Sequence, residues 1–261
     1  MLLGVNIDHI AVLREARKIN DPNPIDALGI CKISGADQIT IHLREDRRHI
    51  NDTDAKNIIQ LSPLPVNLEC SINDDIIDIV CQLKPTRATL VPENREEVTT
   101  EGGLDLKNNF DKIKKVVQKL HDHEIEVSLF IDPYKEAIGL SKELDVEWIE
   151  LHTGSYANIY AMLNLNLNNS AHSIKELELS KSELKELLKI SLNNIKTSSK
   201  EAKKLGLKVA AGHGLNYQNV KPIASIKAIS ELNIGQSIIA RSVFTGLKDA
   251  IVSMKALVQE K

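Results

Sequence analysis

The chain has few aromatic residues, few cysteines, no basic excess and no long apolar run, and each shortage removes a class of function. Phe, Trp and Tyr make up 3% of the 261 residues, too few for the stacked rings that hold single-stranded nucleic acids. Lys and Arg number 33 against 36 Asp and Glu, a net charge of −3. Neither nucleic acid nor an anionic membrane surface is therefore expected as a partner. Cys31, Cys70 and Cys81 form no CxxC pair and no zinc spacing, and an odd, sparse set fits a reducing compartment. No apolar run approaches the ~20 residues that a membrane span needs. Met1-Leu2-Leu3-Gly4-Val5 runs straight into Asn6 and Asp8 without a basic leader, so no signal peptide is expected and the expected location is the cytoplasm.

What is present is an alternation. Eight β-rich runs, Leu2–Asp8, Gln38–Leu43, Val66–Cys70, Ala88–Val91, Val127–Asp132, Trp148–Thr153, Lys208–His213 and Leu232–Gly235, are separated by segments with helical spacing. Several runs are almost continuously apolar, as parallel strands covered by helices are. Ile76-Ile77-Val80, Ile113-Val116-Val117-Leu120 and Ala250-Ile251-Met254-Leu257-Val258 keep the i, i+3, i+4 pattern of amphipathic helices. Eight βα units in about 250 residues predict an α/β fold of the TIM (β/α)8 type. An open doubly wound sheet is disfavoured because no GxGxxG follows the first strand, and no linker divides residues 1–261 into two domains. The Asn-rich, then charged, segment Asn158–Leu179 breaks the rhythm. It is expected to lie in a surface insertion of the sixth βα region, around 156–199. Ser180-Lys181-Ser182-Glu183 then reads as a capping box opening a long helix toward Lys204.

In this fold the chemistry sits at the C-terminal ends of the strands. Those ends carry Asn6-Ile7-Asp8-His9, His42-Leu43-Arg44, Asn67-Leu68-Glu69, Glu93, Asp132, Glu150-Leu151-His152, Gly212-His213-Gly214 and Asn233-Ile234-Gly235. Strand alternation places Asn6 with Asp8, His42 with Arg44, Asn67 with Glu69 and Glu150 with His152 on common faces, with Asp8 and His9 pointing to opposite ones. Buried ionisable groups are costly without partners, so a purely structural barrel would not gather so many at one end. The paired turns Gly212-His213-Gly214 and Gly235-Gln236-Ser237 are expected to cradle phosphate through backbone N–H groups. Arg44, with Arg17 beyond the first strand, is a second candidate anion site, whereas Arg47 and Arg48 read as a solvated loop.

No Lys lies in the final residues of any strand, Lys208 being at the opposite end of its own, which argues against an enzyme-bound Schiff base. Cys70 points away from the mouth and reads as a buried thiol. A metal held by His42, His152 and His213 stays open, although Asp8-His9 is adjacent rather than alternating as an HxH pair of ligands would be. On residues alone, three readings stand: an acid–base enzyme on phosphorylated substrates, a metal-dependent barrel hydrolase or aldolase, and a non-catalytic binder of phosphorylated ligands.

The segments GVNIDHIAVLREAR (4–17), DQITIHLREDRRHI (37–50), VNLE (66–69), LVPENREEVTTEGGLD (90–105), VSLFID (127–132), IELHTG (149–154), AGHGLNY (211–217) and ELNIG (231–235) resemble the pyridoxine 5′-phosphate synthase family. The resemblance spans almost the whole chain and fails across about Tyr156–Ser199. It implies a TIM barrel with additional helices, assembled as a homo-octamer, without metal or organic cofactor. It further implies condensation of 1-deoxy-D-xylulose 5-phosphate with 3-amino-2-oxopropyl phosphate to give pyridoxine 5′-phosphate, phosphate and water. By the same resemblance Glu69 is a general base, His42 a second acid–base group and His213 a late proton donor. Asn6 would hold the amino-ketone, and Gly214, Gly235 and Gln236 its phosphate. Asp8, His9, Arg17, Arg44, His49 and Thr99 would hold the deoxyxylulose phosphate. The EVTTEGG stretch around Thr99 would be a closing loop, where the residues alone read as a plain turn. Position 236 is Gln where the family often has His, so its side chain cannot carry charge.

Overall fold

The computed structural model describes residues 1–93 and 102–259. Its strands are β1 (Leu2–Asn6), β2 (Gln38–His42), β3 (Val66–Cys70), β4 (Arg87–Leu90), β5 (Glu126–Ile131), β6 (Trp148–His152), β7 (Lys208–Gly212) and β8 (Glu231–Ile234). They pair in parallel in chain order and close, β8 against β1, into a barrel. The helices are α1 (Asp8–Glu15), α2 (Asp26–Ile33), α3 (Asp52–Leu61), α4 (Asp74–Leu83), α5 (Phe110–His121), α6 (Lys135–Glu143), α7 (Gly154–Asn164), α8 (Lys181–Lys204), α9 (Val220–Ala224), α10 (Gln236–Thr245) and α11 (Leu247–Gln259). The expected eight-stranded (β/α)8 architecture is therefore present, with helices beyond the one that each unit needs.

The strands form because alternate positions suit two different layers. Leu3, Val5, Ile39, Ile41, Leu68, Leu90, Leu129, Ile149, Leu151 and Leu232 are all fully buried beneath the helices. The intervening positions fill the barrel, and many of them are polar. Arg87 pairs with Glu231 at 2.7 Å. Gln38 Nε2 donates to Glu231 Oε1 at 3.2 Å and to Asn233 Oδ1 at 3.4 Å. Asn233 Nδ2 donates to Glu150 Oε2 at 2.7 Å. These five residues come from β2, β4, β6 and β8, as expected of barrels whose interior layers are built from alternate strands. Gly212 leaves room for this filling, since a Cβ there would lie 2.3 Å from Glu150 Oε1.

Seven of the eight strands end one or two residues before the expected run, and only β3 ends where it was placed. β1 stops at Asn6 rather than Asp8, and Asp8 opens α1; β2 stops at His42, short of Leu43. The Asn-rich segment begins as helix, residues 158–164 belonging to α7, where Ile159 and Met162 meet Leu184 of α8 in a small apolar cluster apart from the main core. Between these helices, residues 165–180 carry the 3-10 turns Leu167–Asn169 and Lys175–Leu177. Ser180 caps α8 with the expected reciprocal bonds to and from Glu183.

Candidate active site

At the C-terminal mouth of the barrel a cavity of about 420 Å3 is lined by His42, Glu69, His213, Asn6, Asp8, His9, Arg44, His49, Gly214, Gly235 and Gln236. Of the residues given a role by the resemblance, two are not in that set; of the other polar strand-end residues, Asn67, Glu93 and Asp132 do not line the cavity either. Thr99, with residues 97–101 of the stretch assigned to a closing loop, lies outside the described residues. Arg17 is exposed beyond the end of α1 and does not line the cavity, because the helix carries it roughly 13 Å from Asp8. A second cavity, about 520 Å3, lies between α7 and α8 and is lined by Asn164, Asn166, Asn168 and Asn169 with apolar neighbours. It contains no imidazole.

The acidic end of the mouth is built on the β1–α1 junction. Asn6 Oδ1 accepts from the Asp8 N–H at 2.9 Å while Asn6 Nδ2 donates to Asp8 Oδ2 at 2.9 Å. The other oxygen, Asp8 Oδ1, accepts from His42 N at 3.0 Å and ties the junction to the end of β2. Burial pushes the Asp8 carboxyl above its usual range; the His49 and His9 charges and the hydrogen bonds from His42 N–H and Asn6 oppose it without cancelling it. Asp8 and His9 both face the cavity, contrary to the opposite faces expected of a strand. Inside a helix, successive residues turn by about 100° rather than 180°, so neighbours share a side.

Arg44 and His49 sit on the loop after β2, not on the strand face expected for Arg44. Arg44 is buried, with Nε 3.4 Å from Asp46 Oδ1 and 3.7 Å from Glu93 Oε1. His49 Nδ1 accepts from Ile50 N at 2.8 Å, so the neutral ring carries its proton on Nε2. Its ring lies 6.1 Å from that of His42 in an edge-on arrangement. The loop is clamped from behind by Arg14, which forks onto both oxygens of Asp54 at 2.8 and 2.7 Å and donates to His49 O at 2.8 Å. Arg14 was not distinguishable in sequence from its neighbour Arg17. Its partner lies 40 residues away, and only the assembled loop reveals it.

The opposite wall holds the glycine turns. His213 has φ +79° and Gly214 φ +78°; for a non-glycine residue that conformation carries strain, which persists where the surroundings fix it. Here Thr153 Oγ1 donates to His213 O at 2.6 Å and Asn219 Nδ2 to Gly214 O at 3.0 Å. The second turn, Gly235-Gln236-Ser237, opens α10, and Ser237 Oγ donates to Leu215 O at 2.8 Å, joining the two turns. The first N–H groups of a helix lack intrahelical partners and favour an anion, and those of α10 border the cavity.

Four further residues that the resemblance gave no role also line the cavity: Glu150, His152, Asn233 and Phe130. Glu150, His152 and Asn233 were legible as strand-end polar residues; Phe130 was legible only as the residue two before Asp132. Glu150 is pushed up to about 7 by burial, against the Asn233 hydrogen bond; the Glu231 charge adds to the rise and Arg87 opposes it. A carboxyl raised in the folded state keeps its proton after the unfolded chain has lost it, so stability falls as pH climbs from the ordinary carboxylate range through about 7. Glu150→Gln, which still accepts from Asn233, is therefore expected to melt higher than wild type by roughly 3 °C or more at about pH 8.5 and to match it near pH 5. Thermal unfolding without substrates measures this, and equal gaps at both pH values contradict it. Among the described residues no group of three His, Cys, Asp or Glu side chains is disposed to hold a metal ion.

Comparison with known proteins follows the same line. Residues 3–260 match the family model described as pyridoxal phosphate biosynthesis protein PdxJ. The chain is 78% identical to the pyridoxine 5′-phosphate synthase of Aliarcobacter butzleri (strain RM4018), covering 99% of each. It is 64% identical to that of Sulfurovum sp. (strain NBC37-1), covering 98% of this chain and 100% of the relative. Among solved structures, phosphoribosyl anthranilate isomerase from Thermus thermophilus superposes with a TM-score of 0.54 at 11% identity, over 99% of this chain and 98% of the other. A 3-hexulose-6-phosphate synthase superposes with 0.58 at 12% identity, over 98% and 99%. At such identities the structural likeness speaks for the barrel alone.

Proposed function

The chain belongs to the pyridoxine 5′-phosphate synthase family, and from that premise we propose that its cavity condenses 1-deoxy-D-xylulose 5-phosphate with 3-amino-2-oxopropyl phosphate through His42, Glu69 and His213. The enzyme is a pyridoxine 5′-phosphate synthase of vitamin B6 biosynthesis, and such an activity takes phosphorylated substrates. The amine of one substrate adds to the ketone of the other and water leaves, so the imine joins the two substrates and needs no lysine. Each later step, through loss of phosphate and ring closure, adds or removes a proton, which is why several titratable groups converge. Glu69 takes protons from carbon, His42 exchanges them with oxygen, and His213 returns one late. Asn6 holds the amino-ketone. Arg44, His49, Asp8 and His9 form the deoxyxylulose-phosphate side, and Gly214, Gly235 and the Gln236 N–H the other phosphate site. Arg17 and Thr99 belong to the same proposal.

The observation that carries this reading is the convergence of Glu69, His42 and His213 on one cavity between a basic loop and a pair of glycine turns. A simple binder of phosphorylated ligands has no use for a carboxylate that shares its cavity with these imidazoles. Mixing the two substrates with the protein and measuring released phosphate and pyridoxine 5′-phosphate is the direct test. His213→Ala is expected to lower turnover roughly tenfold or more, with the fold intact by circular dichroism. Dialysis against a chelator is expected to leave turnover unchanged; zinc or manganese in stoichiometric amount, lost together with activity, would instead mark a metal enzyme.

The assembly is proposed as a homo-octamer acting in the cytoplasm. Ile33 of α2 and Val243 and Phe244 of α10 are 74%, 68% and 89% exposed, apolar surface of the kind that contacts between copies cover. Light scattering on the same preparation reads the mass. No helix among the described residues is long and apolar enough to cross a membrane.

A further inference from the structure

One carboxylate at the cavity rim touches two parts of the mouth at once. β5 and β6 run in parallel with Ile131 beside Leu151, which brings the next residues, Asp132 and His152, together. Asp132 Oδ1 lies 3.0 Å from His152 Nδ1. His152 is 6% exposed and lines the cavity. Its ring sits 4.9 Å from Phe130 and 5.0 Å, edge-on, from His213. Burial alone would push Asp132 up, but the bond to His152, the Gly103 N–H and the His152 charge hold it below the usual carboxylate range. It is therefore a charged acceptor, and an acceptor at Nδ1 requires the proton to be there.

The surroundings leave His152 little freedom to turn. Gly154 sits against the far nitrogen, where a Cβ would lie 2.4 Å from His152 Nε2 and 3.1 Å from His213 Cδ2. The two imidazoles thus share a wall with no side chain between them. On its other side Asp132 accepts from the Gly103 N–H, and a Cβ at Gly103 would lie 2.4 Å from the Asp132 nitrogen. Leu104 N donates to Phe130 O at 2.8 Å, so the chain at 103–104 is laid along the end of β5.

We propose that Asp132 is a positioning residue for the condensation, acting through His152. It holds the His152 proton on Nδ1, so that Nε2 is the nitrogen that, in the neutral ring, accepts a hydrogen bond from a hydroxyl or amine of the bound substrates beside His213. This rests on the synthase reading for its substrates, but not for the tautomer, which is a property of the empty protein. An amide at position 132 can donate as well as accept, and so no longer dictates which ring nitrogen is protonated.

The test is Asp132→Asn, with Asp132→Glu as the conservative variant and His152→Gln to assign the signal. The 15N chemical shifts of the histidines, recorded by solid-state NMR on the assembled, substrate-free protein, report the tautomer. The expected result is an Nδ1–H signal for His152 in wild type that moves toward Nε2–H in Asp132→Asn. With it, kcat should fall roughly tenfold or more, with a smaller change in KM, an unchanged melting temperature and partial recovery in Asp132→Glu. An Nε2–H signal for His152 in wild type, or a loss of activity that only tracks a lower melting temperature, overturns the proposal. If wild type makes no pyridoxine 5′-phosphate from the two substrates, the synthase reading fails while the tautomer measurement still stands or falls by itself.

Discussion

Glu69→Gln is expected to cut pyridoxine 5′-phosphate formation about 100-fold, the scale that a positioned general base contributes, while leaving the melting temperature within about 2 °C. Glu69 is the penultimate residue of β3, and the barrel register sets it beside His42. Its main chain is held independently of its side chain, because Leu43 N donates to Glu69 O at 3.0 Å. The half-buried side chain faces the cavity rather than the helix layer. Glutamine keeps the shape and the capacity to accept a hydrogen bond but cannot take a proton from carbon. Steady-state assays with both substrates saturating measure the effect. Turnover within twofold of wild type would remove Glu69 from the chemistry and move the base to another lining residue.

Arg87→Met is expected to be the most destabilising single change in the barrel interior. Arg87 and Glu231 are 7% and 2% exposed and pair at 2.7 Å, and the Arg87 guanidinium lies 3.7 Å from the centre of the Trp148 ring. Removing one member of a buried pair strands the other charge and costs about 3–5 kcal/mol. In a chain of this size that lowers the melting temperature by roughly 10 °C. Adding Glu231→Gln to Arg87→Met removes the stranded charge and is expected to restore part of the loss, a coupling that a double-mutant cycle isolates. Thermal unfolding in the absence of substrates decides it. A drop of under about 2 °C in the single variant would mean that water reaches Glu231.

The sequence shows where the strands are because their outward positions are hydrocarbon: all eight runs became strands, and their polar ends meet at one mouth. The detail at those ends was less legible. Alternation was carried two residues past Asn6, where the chain had already turned into α1, so the relation of Asp8 to His9 came out reversed. Contacts between distant residues leave no local pattern. Arg14 with Asp54, Asn233 with Glu150 and Arg87 with Glu231 are 40, 83 and 144 residues apart. None can be paired until the barrel closes. The polar lining was therefore visible as composition but not as a network, and the contacts of Asp132, Glu150 and His152 stayed hidden, while Glu69 and His213 were singled out only through the resemblance.

The chain of hydrogen bonds from Arg87 through Glu231, Gln38 and Asn233 to Glu150 bears on how such a barrel can be recombined. Hydrocarbon layers tolerate exchange because a missing methylene is partly filled by its neighbours. A donor brought opposite a donor has no such remedy. Chimaeras that import β2, β4, β6 or β8 singly from a sister barrel should therefore misassemble, whereas swaps that keep those four strands from one parent, or that exchange the outer helices, should survive.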